Sequence, residues 1–162
     1  IVEDKRQMDW ARAVHPLLFL SLQKQGKQVV PLDIELTEGK RILIISGPNA
    51  GGKSVCLKTV GLLQYMLQCG LLIPLHERSR TGIFEHIFID IGDEQSIEND
   101  LSTYSSHLTN MKYFVKNCNE RTIILIDEFG SGTEPQIGGA IAEALLDRFN
   151  RNHSFGVITT HY

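Results

Sequence analysis

The segment from Arg41 to Leu67 most constrains the fold. A short apolar run, Ile42-Leu43-Ile44-Ile45, leads into Gly47-Pro48-Asn49-Ala50-Gly51-Gly52-Lys53-Ser54. Apolar positions Val55, Leu57, Val60, Leu62, Leu63, Met66 and Leu67 then follow at mixed three- and four-residue spacing. That order predicts a buried strand, a tight glycine-rich turn and an amphipathic helix folded back on the strand. The turn fits the pattern G-x-x-x-x-G-K-[ST] in full. Glycines there let successive backbone N–H groups converge on one anion at the positive end of the helix. Lys53 would then reach β- and γ-phosphates, and the Ser54 hydroxyl would ligate magnesium. A nucleoside triphosphate is therefore the expected ligand, held by Gly47, Pro48, Asn49, Ala50, Gly51, Gly52, Lys53, Ser54 and Val55.

The remaining chain alternates between two periodicities. Glu3 to Ala13 reads as a short charged helix, ended before Pro16 by the pre-proline restriction. Val30, Leu32, Ile34 and Leu36 alternate with polar partners, and the turn Thr37-Glu38-Gly39-Lys40 leads into the strand at Arg41, which predicts a hairpin. The glycine-loop helix is expected to end near Gly70, with Pro74 beyond it. His86 to Ile91 reads as a strand with Ile87, Ile89 and Ile91 on one face. Gly92 to Leu101 reads as an exposed acidic loop with room for a helical turn. Ser102 or a neighbour caps the next helix, whose Leu108, Met111, Val115 and Cys118 share a face. Thr122 to Ile126 is an apolar strand, Phe129 to Pro135 a loop, Ile137 to Phe149 a helix, and Phe155 to Thr159 a closing strand. This order predicts an α/β fold with a mainly parallel sheet flanked by helices and an antiparallel N-terminal hairpin.

With 162 residues and 42% hydrophobic content, the chain has material for one core and one domain, residues 1–162. Because it starts at Ile1 and stops at Tyr162, just after a strand-like run, it is expected to be a fragment of a longer protein, truncated at both ends. No apolar run reaches the roughly eighteen residues of a membrane span. Cys56, Cys69 and Cys118 are odd in number and lack metal-ligand spacing, which favours free thiols in a reducing cytoplasm. The net charge of −3, with scattered Lys and Arg, gives no nucleic-acid footprint. Contacts to DNA would fall to other segments. His15, His76, His86 and His107 have no metal-ligand spacing and read as surface or interface residues. Trp10 reads as packing, and Val29, Val30 and His15 stay open as adenine contacts.

A second chemical pattern is Ile123-Ile124-Leu125-Ile126-Asp127-Glu128, an apolar strand ending in two carboxylates. A buried strand delivers Asp127 to its carboxyl end, where ligands of open α/β sheets bind and where an acid can hold magnesium. Glu128, one residue on, is suited to orient or deprotonate a water aimed at the γ-phosphate. A solvated Asp-Glu pair is the bland alternative, and the glycine loop upstream argues against it.

Taken in order, these pieces resemble the ATPase domain of the MutS family, within the wider ABC-type ATPases, over nearly the whole chain. Ala13-Val14-His15-Pro16 is similar to the family's opening segment. Gly47-Pro48-Asn49 with Gly51-Gly52-Lys53-Ser54 resembles its phosphate loop. Ile126-Asp127-Glu128-Phe129-Gly130-Ser131-Gly132-Thr133 resembles its acidic strand and following loop, and Thr159-Thr160-His161-Tyr162 its switch-histidine segment. Ile91-Gly92-Asp93-Glu94-Gln95-Ser96-Ile97, followed by Leu101-Ser102-Thr103-Tyr104-Ser105-Ser106-His107, looks most like the second bacterial branch, associated with suppressing recombination or rescuing stalled ribosomes.

The resemblance implies a P-loop nucleotide hydrolase of the ABC type that uses ATP and magnesium. It implies a homodimer with nucleotide sandwiched between one subunit's loop and the partner's Ser102 and Thr103, and a clamp on mismatched or branched DNA through domains outside this segment, with the ribosome as a further possible target. By resemblance Lys53, Glu128 and His161 serve catalysis, His161 as the γ-phosphate sensor. Ser54, Asp127 and Gln95 serve the metal, although a solvated loop role for Gln95 and a strand-end role for His161 stay open. Two other classes are a transporter's nucleotide-binding subunit and a non-hydrolysing ATP-dependent dimerisation switch. Leu101-Ser102-Thr103-Tyr104-Ser105 lacks the glycines of a transporter signature. Lys53, Asp127 and Glu128 argue for hydrolysis.

Overall fold

Strand β6 (Thr122–Ile126) is buried at every residue, as its uninterrupted apolar run requires. The structure is a computed structural model that describes residues 1–48, 52–92 and 100–161, with side chains outside 100–103. Around β6 lies a four-stranded parallel sheet in the order β3-β7-β6-β5, formed with β3 (Ile42–Ser46), β7 (Phe155–Thr160) and β5 (His86–Asp90). Alternation along β6 sends Ile123 and Leu125 to one face and Ile124 and Ile126 to the other. The first face meets Leu57, Val60 and Leu63 of helix α2 (Lys53–Gln68). The second meets Met111 and Phe114 of α3 (Asp100–Asn117) and Phe149 of α4 (Pro135–Arg151). Full burial of each such side chain is worth about 1.5–3 kcal/mol.

The connections decide where a site can form. From β3 the chain crosses through α2 to β5 at the far edge, then returns through α3, β6 and α4 to β7, which sits beside β3. The direction of winding therefore reverses, and the carboxyl ends of β3, β7 and β6 border one crevice. Gly61 lets α2 lie close to the sheet, since a Cβ there would meet Leu125 Cδ1 at 3.1 Å. As expected, α2 stops before Gly70, which adopts a left-handed φ of 81°.

The N-terminal region departs from its sequence-based expectation in two places. Glu3 to Ala13 holds no helix. Residues Met8–Ala13 form strand β1, paired antiparallel with β2 (Leu32–Leu36) and with the short β4 (Arg80–Thr81). Met8, Trp10 and Ala13 are buried among Ile34, Leu36 and Phe84, and that burial outweighs the helix-favouring charges upstream. A bulge between Trp10 and Ala13, with Arg12 at φ 51°, breaks the period-two signal that would have marked a strand. Nor do β2 and β3 pair as a hairpin. Thr37 and Lys40 exchange backbone hydrogen bonds in a tight turn, after which β3 leaves to pair with β7 over five residues. The antiparallel N-terminal unit is thus a three-stranded sheet, β2-β1-β4. Pro16, read as a stop, instead opens helix α1 (Pro16–Lys24), because its missing N–H costs nothing in a first turn.

Candidate nucleotide site

Four strand ends supply the side chains. After β3 the backbone turns through Gly47, at φ 146°, and Gly52, at φ 77°, both strained for any residue with a Cβ. Gly52 caps α2, so Lys53 and Ser54 occupy its first turn. Lys53 is buried at 7% exposure, and its ammonium donates to the carbonyls of Gly47 and Thr160, the latter at 3.0 Å. Among the described residues no carboxylate forms an ion pair with it. A buried cation satisfied by carbonyls, at a helix N-terminus, is disposed to receive an anion.

At the end of β6, Asp127 is buried and both its carboxylate oxygens accept hydroxyl donors. Ser54 Oγ lies 2.7 Å from Oδ2, and Thr159 Oγ1 of β7 lies 2.5 Å from Oδ1. The Thr159 oxygen also accepts the Glu128 N–H at 2.9 Å. That bond helps hold Glu128 at φ 53°, a backbone region costly for a non-glycine residue. The Glu128 side chain is 35% exposed, with Oε1 3.3 Å from His161 Nε2, which donates to it.

Asp90 closes the β5 end of the site. Its carbonyl accepts the Asp127 N–H at 2.9 Å, and its buried carboxylate is gripped by α3. His107 Nδ1 lies 2.5 Å from Oδ2, and Asn110 Nδ2 donates to Oδ1 at 2.8 Å. The bond to Asp90 raises the His107 imidazole above its ordinary value, burial opposes this, and the charges of Asp90, Glu128 and Asp127 add to the rise. Asp90, His107 and Glu128 also share the wall of a small cavity of about 40 Å³ between α3 and α4, whose remaining lining is mostly apolar.

Of the residues singled out from sequence, Gly47, Gly52, Lys53, Ser54, Asp127, Glu128 and His161 gather around the crevice. Pro48 is exposed just after Gly47, and the Val55 side chain is 42% exposed. Ser102 and Thr103 lie in the first turn of α3. Asn49, Ala50, Gly51, Gln95 and Tyr162 lie outside the described residues. Trp10 is packed in the core, while His15 caps α1 by accepting the Leu18 N–H. His107, read as a surface or interface residue, has a side chain 30% exposed and also bonds Asp90. Asp90, Asn110 and Thr159 were missed. The i, i+3 spacing of His107 and Asn110 was the one available signal, since it puts two donors on one helix face.

Among the described residues no group of three or more His, Cys, Asp and Glu side chains could hold a metal ion. Ser54 and Asp127 nevertheless suit magnesium, which takes few protein ligands, prefers hard oxygens and fills its shell with phosphate and water. Among the described residues no helix is long and apolar enough to cross a membrane.

The family described as MutS domain V matches residues 43–162, the part that holds β3 through β7 and every residue of the crevice. "Endonuclease MutS2" of Shouchella clausii is 46% identical over 161 residues, which is 99% of this chain and 20% of that protein. "Putative endonuclease MutS2" of Bacillus subtilis is 47% identical over 162 residues, 100% of this chain and 20% of its own length. "Endonuclease MutS2" of Listeria monocytogenes is 50% identical over 150 residues, covering 93% and 18% respectively. The chain thus spans about a fifth of the length of the curated relatives it matches. With the glycine loop, the acidic strand and these relatives in agreement, the chain belongs to the MutS family, as its domain V and on the second MutS branch.

Proposed function

We propose that this domain binds ATP with magnesium and hydrolyses it to ADP and phosphate, as a P-loop nucleotide hydrolase of the ABC type. The observation that carries the reading is the Ser54–Asp127–Thr159 bridge, which ties the glycine loop to the acidic strand beside the buried Lys53 ammonium. Lys53 exchanges its carbonyl partners for β- and γ-phosphate oxygens, and backbone amides of residues 49 to 54 complete the cradle. Ser54 and Asp127 hold the metal. Magnesium held there would supply positive charge to offset the negative charge developing on the phosphates. Glu128 orients and deprotonates a water for in-line attack on the γ-phosphorus, and His161, donating to Glu128 before ATP arrives, turns to the γ-phosphate as its sensor.

The active unit in this reading is a homodimer in which Ser102 and Thr103 of one subunit close over the γ-phosphate held by the other. Both residues sit in the first turn of a helix, where free amides and the helix dipole favour an anion. Hydrolysis then resets a clamp that controls DNA repair or recombination on mismatched or branched DNA, or acts at the ribosome, through parts of the protein beyond these residues. The relatives' names denote an endonuclease; the activity proposed here is confined to nucleotide hydrolysis. Replacing Lys53 with Ala in the full-length protein should weaken MgATP binding at least about tenfold. Unchanged affinity would reject the reading.

A further inference from the structure

Asp90 offers α3 a rigid handle on the acidic strand. It is 6% exposed at the last position of β5, and both its oxygens are occupied by side chains one helical turn apart, His107 and Asn110. Its carbonyl meanwhile accepts the N–H of Asp127. Only one peptide unit then separates Asp127 from Glu128, whose own N–H is fixed by Thr159. A continuous set of bonds therefore runs from α3 through Asp90 to the backbone that carries Glu128. The charge balance favours a tight grip, because His107 faces Asp90 directly and Asp127 and Glu128 nearby, all of which favour its protonated form. Thr103 lies four residues, about one helical turn, before His107.

We propose that His107 and Asn110 are positioning residues that couple α3 to Glu128, so that the placement of α3 sets whether Glu128 is aligned for water attack. The proposal rests on the ATP-hydrolysis reading above. Engagement of the first turn of α3 by the partner subunit's nucleotide shifts or steadies α3. Asp90 passes that displacement to the Asp127–Glu128 peptide, and hydrolysis proceeds only when the two subunits are joined. Neither His107 nor Asn110 touches substrate.

The test uses the full-length protein with MgATP, measuring nucleotide affinity and steady-state turnover for His107→Ala, His107→Asn, Asp90→Asn and the His107→Ala/Asp90→Asn pair. The His107→Ala variant should lose about tenfold or more in kcat, with ATP affinity within about twofold of the parent. His107→Asn places an amide donor near the position of the ring Nδ1 and should return kcat to within about threefold. The double variant should lose no more than the worse single one, as residues acting through a shared bond do. Unchanged kcat in His107→Ala would overturn the proposal, as would a loss that tracks a fall in Tm and is not restored by Asn. Glu128→Gln serves as the control. If it retains full turnover, the hydrolysis reading itself fails; if it is inactive while the His107 variants are not, only the coupling fails.

Discussion

Ser54 and Asp127, 73 positions apart in the chain, are joined by a 2.7 Å hydrogen bond from hydroxyl to carboxylate. The bond brings the first turn of α2 against the end of β6, although β7 lies between β3 and β6 in the sheet. In the proposed reading the two oxygens would hold one magnesium ion, which prefers hard oxygen ligands.

On that proposal, replacing Ser54 with Ala would remove one magnesium ligand. The magnesium concentration that half-saturates ATP turnover should rise about tenfold or more, as expected for loss of a directly bound ligand. Titrating magnesium at fixed ATP measures this. An unchanged half-saturation point would remove Ser54 from the metal shell.

Thr159 links the Asp127 carboxylate to the Glu128 backbone, donating to the first and accepting from the Glu128 N–H while fully buried. Thr159→Val keeps the shape but strands a carboxylate oxygen and a backbone N–H. It should destabilise the fold by about 1–3 kcal/mol, with Thr159→Ser close to the parent. Urea midpoints of the three proteins provide the measurement; equal midpoints would mean that water replaces the hydroxyl without cost.

Protonated His107 is favoured by the fold over the unfolded chain, so its folded value lies above the ordinary 6.5. Its contribution to stability is full below that ordinary value and is lost as pH rises through the raised one. The stability advantage of the parent over His107→Asn should accordingly shrink as pH rises above the ordinary 6.5. Urea unfolding of both proteins across that rise gives the difference directly, and a constant gap would refute the assignment of the shift.

Much of this was legible in the sequence because it rests on local signals. The apolar run of β6 followed by Asp127 and Glu128, and the glycines at positive φ around Lys53, each announce their geometry within a few residues. What stayed hidden depends on distant partners. β1 carries a bulge at Arg12 that breaks its alternation, and its pairing with β2 and β4 cannot be read from its own residues. β2 and β3 share a good turn yet divide between two sheets, because β3 finds longer pairing with β7. Asp90 carries no local signal of its role, because its partners His107 and Asn110 reach it from α3 across 17 and 20 positions. Thr159 reads as the end of a strand and the start of the switch-histidine segment, and its bonds to Asp127 and Glu128 depend on β7 inserting beside β6.

In the proposed mechanism Glu128 activates the water that attacks ATP. That role is tested most directly by comparing Glu128→Gln with the parent in a single-turnover measurement on the full-length protein with magnesium. The amide keeps the size and most of the hydrogen bonding of the carboxylate but cannot accept the proton. ATP should bind with affinity within about twofold of the parent while the rate of γ-phosphate cleavage falls by about 100-fold or more. Cleavage at the parental rate would contradict the account.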